Sequence, residues 1–492
     1  MKRAALMVWG ASSGAGKSLL TTALCRWAAR QGLDVAPFKA QNMSNNARVV
    51  PVDPADPDSR LGEIGSAQYF QALAARVPPS VDMNPVLLKP ERDTASRVVV
   101  HGQVDAELSR LPWRERSRVL AAVARESFDR LTGRHGRIVI EGAGSPAEIN
   151  LAPHDYVNLD AARWAREHGA LHAMLVADID RGGAFAHLHG TWALLPDDLR
   201  PVLAGFVLNK FRGDAALLAP GPAQLQALTG VPLLGVLPMR RDHGLPDEDG
   251  VHAAPRTDSG GPRIAIVAWP HISNLDEFQS LAEVATLRWA RNAAELADAD
   301  WIILPGSKQV SGDLAWLREQ GLDRCIVEHV RRGRPLLGIC GGQQILGRTL
   351  DDPGGVDGEP HGPLPGLGLL PLATRYAAPK RLRAAAVHFD TLTSPWQALT
   401  GRSLPAYEIR CGRTTVDVDG AVAVVHDAHG QPIGWQAGAT LGLAVHGLFE
   451  DAATLHALFG RHVRTLDARF DALADLVEDH LGAATLRTLL EA

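Results

Sequence analysis

Two stretches of the chain carry residue types whose spacing could do chemistry. The first is "PLLGICGGQQILG", residues 335 to 347. The run from Pro335 to Ile339 reads as a buried parallel strand, and the residues after Gly342 read as a helix start. Cys340 then falls on a tight strand-to-helix turn, where glycines permit unusual backbone angles and a helix N-terminus stabilises a thiolate. That placement suits a nucleophile, although a small buried thiol would fit the same stretch equally well. A nucleophilic thiol needs a base. Among His271, His361, His388, His426 and His446, the last stands out because it ends the apolar strand of "LGLAVHGLFE" and precedes Gly447. A strand-end histidine can meet a strand-end cysteine across one sheet edge, giving a pair that attacks a carbonyl. Backbone N–H groups near Gly306 in "LPGSK", and those after Cys340, are candidates for the oxyanion.

The second stretch is "WGASSGAGKSLL", which follows a first strand and opens a first helix. Successive N–H groups in such a loop, together with the helix dipole, cradle phosphates. Gly10, Gly14 and Gly16 shape the loop, Lys17 reaches the β/γ-phosphates, and Ser18 binds Mg²⁺. Five residues, not the usual four, separate Gly10 from Gly16, and this longer loop resembles that of dethiobiotin synthetase and its relatives. Other polar loops sit at strand ends, where open α/β sheets bind ligands. "FKAQNMSNN" brings Lys39 toward the nucleotide, and "VIEGAGSPAEINL" puts Glu141 in place as a second Mg²⁺ ligand. Asn209 in "VLNKFRGD" is placed where an adenine-reading side chain could sit. The expected cofactors are therefore ATP and Mg²⁺. "GEIGSAQ", "VDMNPVLLKPE" and "DIDRGG" are weaker signals, since their polar groups could equally cap helices or pair on the surface.

The elements that must position these residues follow a repeated pattern. "ALMVW", "DVAPF", "RIVIE", "AMLVAD", "VLAGFVLN" and "PLLGVLP" read as strands alternating with amphipathic helices. A second series begins at "RIAIVAWP", passes through "DWIILPGSK" and "RPLLGICGG", and ends near "TLGLAVHGLFE". The fold class expected is α/β with two doubly wound domains, residues 1–241 and 263–450. Residues 242–262, acidic and rich in Gly and Pro, read as a linker, and 451–492 as a helical extension. The 492 residues can build sizeable cores. The formal net charge of -5 gives no basic field for nucleic acid. No apolar run has membrane-spanning length, and the opening "MKRAALMVWG" reads as a strand rather than a leader. Four cysteines without a C-x-x-C pair indicate neither zinc nor a disulfide framework and fit a reducing cytoplasm. Only seven of the 50 basic residues are lysine, and five of those (Lys17, Lys39, Lys89, Lys210, Lys308) fall in motif-like stretches.

"GICGGQQILG", "LPGSK" and "VHGLFE" resemble the class I glutamine amidotransferase domain. Together with "APFKAQNMSNN", "GEIGSAQ", "VDMNPVLLKPE" and "ILPGSK", they make nearly the whole chain resemble the cobyric acid synthases. The resemblance implies ATP- and glutamine-dependent amidation of adenosylcobyrinic acid a,c-diamide at its b, d, e and g carboxylates. It implies Cys340 as nucleophile, His446 as its proton partner, and ATP held from Gly10 to Ser18. Two features depart from wider patterns. Most class I glutaminases carry a glutamate two residues after the histidine. Here that residue is Leu448, with Glu450 two further on, and the family similarly lacks this third member, so a Cys-His dyad is expected. The family's "YEIH-x-G-x-T" segment appears as "AYEIRCGRTT", with Arg410 in place of the usual histidine and no role assigned to it. Two alternatives stand beside this reading. One is an amidotransferase of the same plan acting on other carboxylates, such as the a and c groups of cobyrinic acid. The other is a P-loop ATPase with an inactive glutaminase scaffold, against which the intact Cys340 and His446 argue.

Overall fold

The computed structural model describes residues 3–491 apart from 57, 93–94, 241–244, 246–259 and 418–419. The chain divides into two compact units, residues 1–249 with 466–492, and residues 250–465. Both are α/β and built on parallel sheets, as the alternating pattern predicts. The expected linker, 242–262, lies outside the described residues except for Leu245 and 260–262. Among the described residues no helix is long and apolar enough to cross a membrane.

The first unit is organised by six parallel strands: β1 (Ala4–Gly10), β2 (Val35–Phe38), β3 (Arg137–Glu141), β4 (Ala170–Asp178), β5 (Leu203–Phe211) and β6 (Leu233–Pro238). Their spatial order is β6-β5-β4-β1-β3-β2, which places β1 centrally and the loop after it at the middle of the sheet edge. These are the six apolar runs read from the sequence. Every residue of β1 is buried, and alternation sends Leu6 and Val8 to one core and Met7 and Trp9 to the other. Both faces are therefore covered, as a parallel sheet requires. On the face of Leu6, helix α1 (Lys17–Arg30) packs Leu20, Leu24 and Trp27 against Phe470, Leu473 and Val477 of the helix Leu466–Leu481. Each such fully buried side chain contributes roughly 1.5–3 kcal/mol. Arg26 Nε donates to Asp471 at 2.8 Å and Trp27 Nε1 to Glu478 at 2.7 Å. The stretch after residue 451 is helical, but its parts separate: Ala452–Phe459 stays with the second unit, while Leu466–Leu481 and Ala483–Glu491 complete the core of the first. The apolar stripe of the longer helix explains that return, since it needs a buried face to cover it.

In the second unit, β7 (Arg263–Val267), β8 (Thr286–Ala290), β9 (Trp301–Leu304), β10 (Leu336–Ile339) and, at the end of the series, Thr440–Leu443 form a parallel core. The order is β8-β7-β9-β10 followed by Thr440–Leu443. Beyond it the sheet continues through antiparallel strands, Pro432–Ala437, Val422–Asp427 and a long strand β11 (Leu372–Phe389) that pairs along β12 (Ser403–Val416). This antiparallel wing was not read from the sequence. Its strands are polar, alternate weakly and carry proline, so they lack the continuous apolar runs that mark the parallel core.

Candidate active sites

The phosphate loop folds as its glycines require. Gly14 and Gly16 have φ of 68° and 98°, backbone that side chains with a Cβ rarely adopt. A Cβ at Gly10 would lie 2.8 Å from Lys17 Nζ, and one at Gly16 would lie 2.0 Å from Asn209 Nδ2. The loop is a cradle that only glycine leaves open. Lys17 is buried, and its ammonium donates to the carbonyls of Ser12 at 3.1 Å and Gly144 at 3.0 Å. It thus bridges the phosphate loop and the glycine loop after β3.

Glu141 ends β3 with no exposure to solvent. Its Oε1 accepts from Ser18 Oγ at 2.7 Å and from Lys39 Nζ at 2.8 Å. Its Oε2 accepts from Gln71 Nε2 at 2.5 Å and Gln68 Nε2 at 3.4 Å. The three residues assigned to cation and nucleotide from the sequence, Ser18, Lys39 and Glu141, therefore meet at one oxygen. A buried carboxylate is tolerable only with such partners. The hydroxyl and carboxylate are hard oxygen donors of the kind Mg²⁺ takes, while Lys39 occupies the oxygen a cation would share. Gln68 and Gln71, one helical turn apart, were not assigned this role from the sequence, though Gln68 was noted in "GEIGSAQ".

Asn209 ends up bracing the loop. Its amide donates to the Ala15 carbonyl at 2.9 Å and its oxygen accepts from Lys210 N at 2.8 Å. Lys210, at φ 61°, reaches Gly14 O at 2.6 Å and Asp178 at 3.1 Å. The "DIDRGG" and "VLNKFRGD" motifs thus hold the phosphate loop from the side. Lys89 and Glu63 form a buried ion pair at 2.5 Å, and Asp82 pairs with Arg130 at 2.7 Å. Asn158 was missed in the sequence: it donates to Ala143 O at 2.8 Å and accepts from Ala143 N at 3.1 Å, clamping the loop after Glu141.

In the second unit Cys340 stands on the turn between β10 and the short helix Gly341–Leu346, with φ 51° and ψ −105°. This is a strained conformation for a residue with a Cβ, and strain of this kind clusters at reactive positions. The turn is held by Cys340 N to Leu443 O at 2.7 Å and Gly342 N to Pro305 O at 3.0 Å. A Cβ on Gly342 would lie 1.9 Å from Leu304 O, so the second glycine of "CGG" allows two strands' ends to meet. Cys340 Sγ lies 3.8 Å from Ile409 O.

His446 is 1% exposed and reaches the same place from the end of Thr440–Leu443. Its ring stacks on Tyr407 at 5.3 Å, and it fits because residue 306 is glycine, where a Cβ would lie 2.8 Å from His446 Cε1. On its other side, His446 Nδ1 bonds Glu277 Oε1 at 2.9 Å, while Gly447 N donates to Glu277 Oε2 at 3.2 Å. The Cys-His dyad expected from the sequence has a carboxylate neighbour here, and it comes from the turn Leu275–Phe278 rather than from residue 448 or 450. No sequence signal near the histidine could have shown it, because the contact joins segments 169 residues apart. Burial opposes protonation of His446, but the Glu277 carboxylate and the Cys340 sulfur outweigh it, and its pKa is pushed up to about 10. His446 is thus poised as an imidazolium beside the Cys340 sulfur. The other histidines go elsewhere, His271 to Asp313 at 2.9 Å and His426 to Asp390 at 2.9 Å.

Comparison with known proteins finds two family models in this chain. Residues 6–250 match the family described as the CobQ/CobB/MinD/ParA nucleotide binding domain, and residues 263–454 the CobB/CobQ-like glutamine amidotransferase domain. Two relatives, both named cobyric acid synthase, are similar over nearly their whole length. One from Methylibium petroleiphilum is 57% identical over 99% of this chain and 96% of its own. One from Variovorax paradoxus is 56% identical over 99% of each.

Proposed function

The chain belongs to the cobyric acid synthase family, an amidotransferase of corrinoid synthesis, and we propose that it uses ATP and glutamine to amidate the b, d, e and g carboxylates of adenosylcobyrinic acid a,c-diamide. The observation that carries this reading is that one chain builds both a phosphate cradle and an aligned thiol, imidazole and carboxylate. In the glutaminase half, the Cys340 thiolate attacks the side-chain amide carbon of glutamine. His446 gives its proton to the departing ammonia, leaving a glutamyl thioester, and the now neutral imidazole takes a proton from the water that releases glutamate. Glu277 holds the ring by Nδ1, so that Nε2 faces the sulfur. The Gly341 N–H, at the first turn of its helix, is the oxyanion donor of that turn.

In the synthetase half, Gly10, Gly14, Gly16 and Lys17 would hold the nucleotide phosphates, and Ser18 with Glu141 would hold Mg²⁺. A cradle that a Cβ would fill and a hydroxyl beside a carboxylate both fit those ligands. Bound ATP with its cation supplies a phosphoryl group that turns a carboxylate, a poor acceptor, into an acyl phosphate open to ammonia. Lys17 neutralises charge that develops on the transferred group, and Lys39 holds the Glu141 oxygen in place. Ammonia is mostly protonated at neutral pH, so making it for immediate use favours the reaction. A reducing cytoplasm suits an enzyme that needs its thiol.

Mass spectrometry of the corrinoid product tests the proposal. With ATP, Mg²⁺, glutamine and the a,c-diamide, four successive one-amide increments are expected. Cobyrinic acid as acceptor should give little product. Preferential amidation of cobyrinic acid at two positions would instead establish the a and c reading, and glutaminase without any amidation would remove the synthetase assignment.

A further inference from the structure

The strand β12 presents two faces with different surroundings. Tyr407 points to His446. Alternation along a strand sends Glu408 and Arg410 to the opposite face. There Glu408, fully buried, meets three guanidinium groups: Arg383 at 3.0 Å, Arg410 at 3.3 Å and Arg381 at 3.7 Å. Asp427 also pairs with Arg383. A fourth guanidinium, that of Arg413, donates to the carbonyls of Pro379 at 2.7 Å and Arg410 at 3.5 Å.

All four arginines line one cavity of about 400 Å³, whose remaining wall includes Pro432, Ile433 and Trp435. The cluster sets four cations against the two carboxylates Glu408 and Asp427. Burial and then the nearby charges of Arg381 and Arg410 hold the proton affinity of Arg413 below its ordinary value. Crowded like charges are costly unless something of opposite sign offsets them. Among the described residues the cluster has an excess of positive charge, and its cavity falls within the size range of small-molecule sites.

We propose that this cavity binds a small organic polyanion. Its carboxylate or phosphate oxygens would face Arg381, Arg410 and Arg413, and its apolar body would lie on the wall of Pro432, Ile433 and Trp435. Planar guanidinium forks match both kinds of oxygen in bidentate fashion, which a lysine does not. Arg410 is then a ligand of this site. The site lies on the face of β12 away from His446 and is distinct from the glutamine site.

Isothermal titration of the full chain tests this. Lys17→Ala serves as background, so that the phosphate loop does not compete. Citrate and pyrophosphate are titrated separately at low salt. At least one is expected to bind with one-to-one stoichiometry. Arg413→Ala and Arg381→Ala should each weaken that binding at least about tenfold, and Arg413→Lys should restore only part of it. The Arg381 side chain is 45% exposed, so its loss spares the fold. Binding of citrate alone assigns a polycarboxylate, and binding of pyrophosphate alone a phosphorylated ligand. If neither binds at millimolar concentration, or if binding survives both alanine substitutions unchanged, the proposal is overturned.

Discussion

The phosphate site and the thiol site begin with the same local device. In each, a buried parallel strand runs into a glycine turn and then a helix, and the reactive group sits at the turn. They differ in how the rest arrives. The phosphate cradle is one unbroken loop, Gly10 to Ser18, because backbone N–H groups of consecutive residues make it. The thiol site is gathered from four segments, carrying Glu277, Gly306, Cys340 and His446. A cradle made of backbone must be contiguous, whereas a proton relay made of side chains can be assembled from anywhere the fold brings together. The two sites should also fail differently, and that difference can be broken or sharpened by substitution.

The largest effect is expected at Cys340. Cys340→Ala should lower glutaminase and glutamine-dependent synthesis by at least about 10⁴-fold, since no thiol remains to form the thioester. Product should still form from high ammonium, more so at alkaline pH, where free ammonia is plentiful. Assays with each nitrogen donor at saturating ATP and corrinoid check this. Full retention of glutamine use would make Cys340 a core residue. Loss of ammonia use in a folded, ATP-binding variant would show that the two sites are not separable. Lys17→Ala should produce the opposite pattern: synthesis falls about 10³-fold or more from either nitrogen source, while the fold survives. Appreciable ammonia-supported synthesis by that variant would refute the phosphate-site assignment.

What was legible in the sequence follows the same division. The six strands of the first sheet and the parallel core of the second were visible because strands buried on both faces are continuous apolar runs. Lys17, Ser18 and Cys340 were visible because each belongs to a short contiguous pattern, and His446 because it ends an apolar strand. Glu277 was not visible, since a carboxylate in "ISNLDEFQS" looks like any turn acid until the fold places it on an imidazole. The antiparallel pairing of β11 with β12 was hidden for a related reason: its strands are half exposed and polar. The return of Leu466–Leu481 to the first unit was also hidden, because helical periodicity shows that a face will be buried but not against what.

Glu277 gives the next prediction. Its carboxylate favours the protonated imidazole, and the His446 pKa stands at about 10. Glu277→Gln removes that charge while keeping a hydrogen-bonding shape. The folded-state pKa of His446 should then fall, because burial, which opposes protonation, is no longer outweighed as strongly. The alkaline limb of glutaminase kcat/KM should move to lower pH, and activity at neutral pH should drop about 10–100-fold. Ammonia-dependent synthesis should be untouched. A pH–rate profile for glutamate release checks both statements. An unmoved alkaline limb would mean that Glu277 only supports the turn at Gly447, whose N–H it also accepts.

The smallest effect is expected at Arg410. Its backbone follows Ile409, whose carbonyl lies 3.8 Å from Cys340 Sγ, yet its side chain leaves the catalytic face and bonds Glu408 at 3.3 Å and Gly412 O at 2.6 Å. Histidine in its place keeps a donor near Glu408 but is too short to hold both partners. Glu408 would still have Arg383 and Arg381, so it would not be left as an unpaired buried charge. Arg410→His should therefore change glutamine-dependent synthesis by less than about tenfold, under 1.4 kcal/mol of barrier, while weakening polyanion binding in the arginine-lined cavity. Measuring both on the same preparation separates the two faces of β12. A large loss of glutaminase with unchanged anion binding would place Arg410 in service of the nucleophile instead.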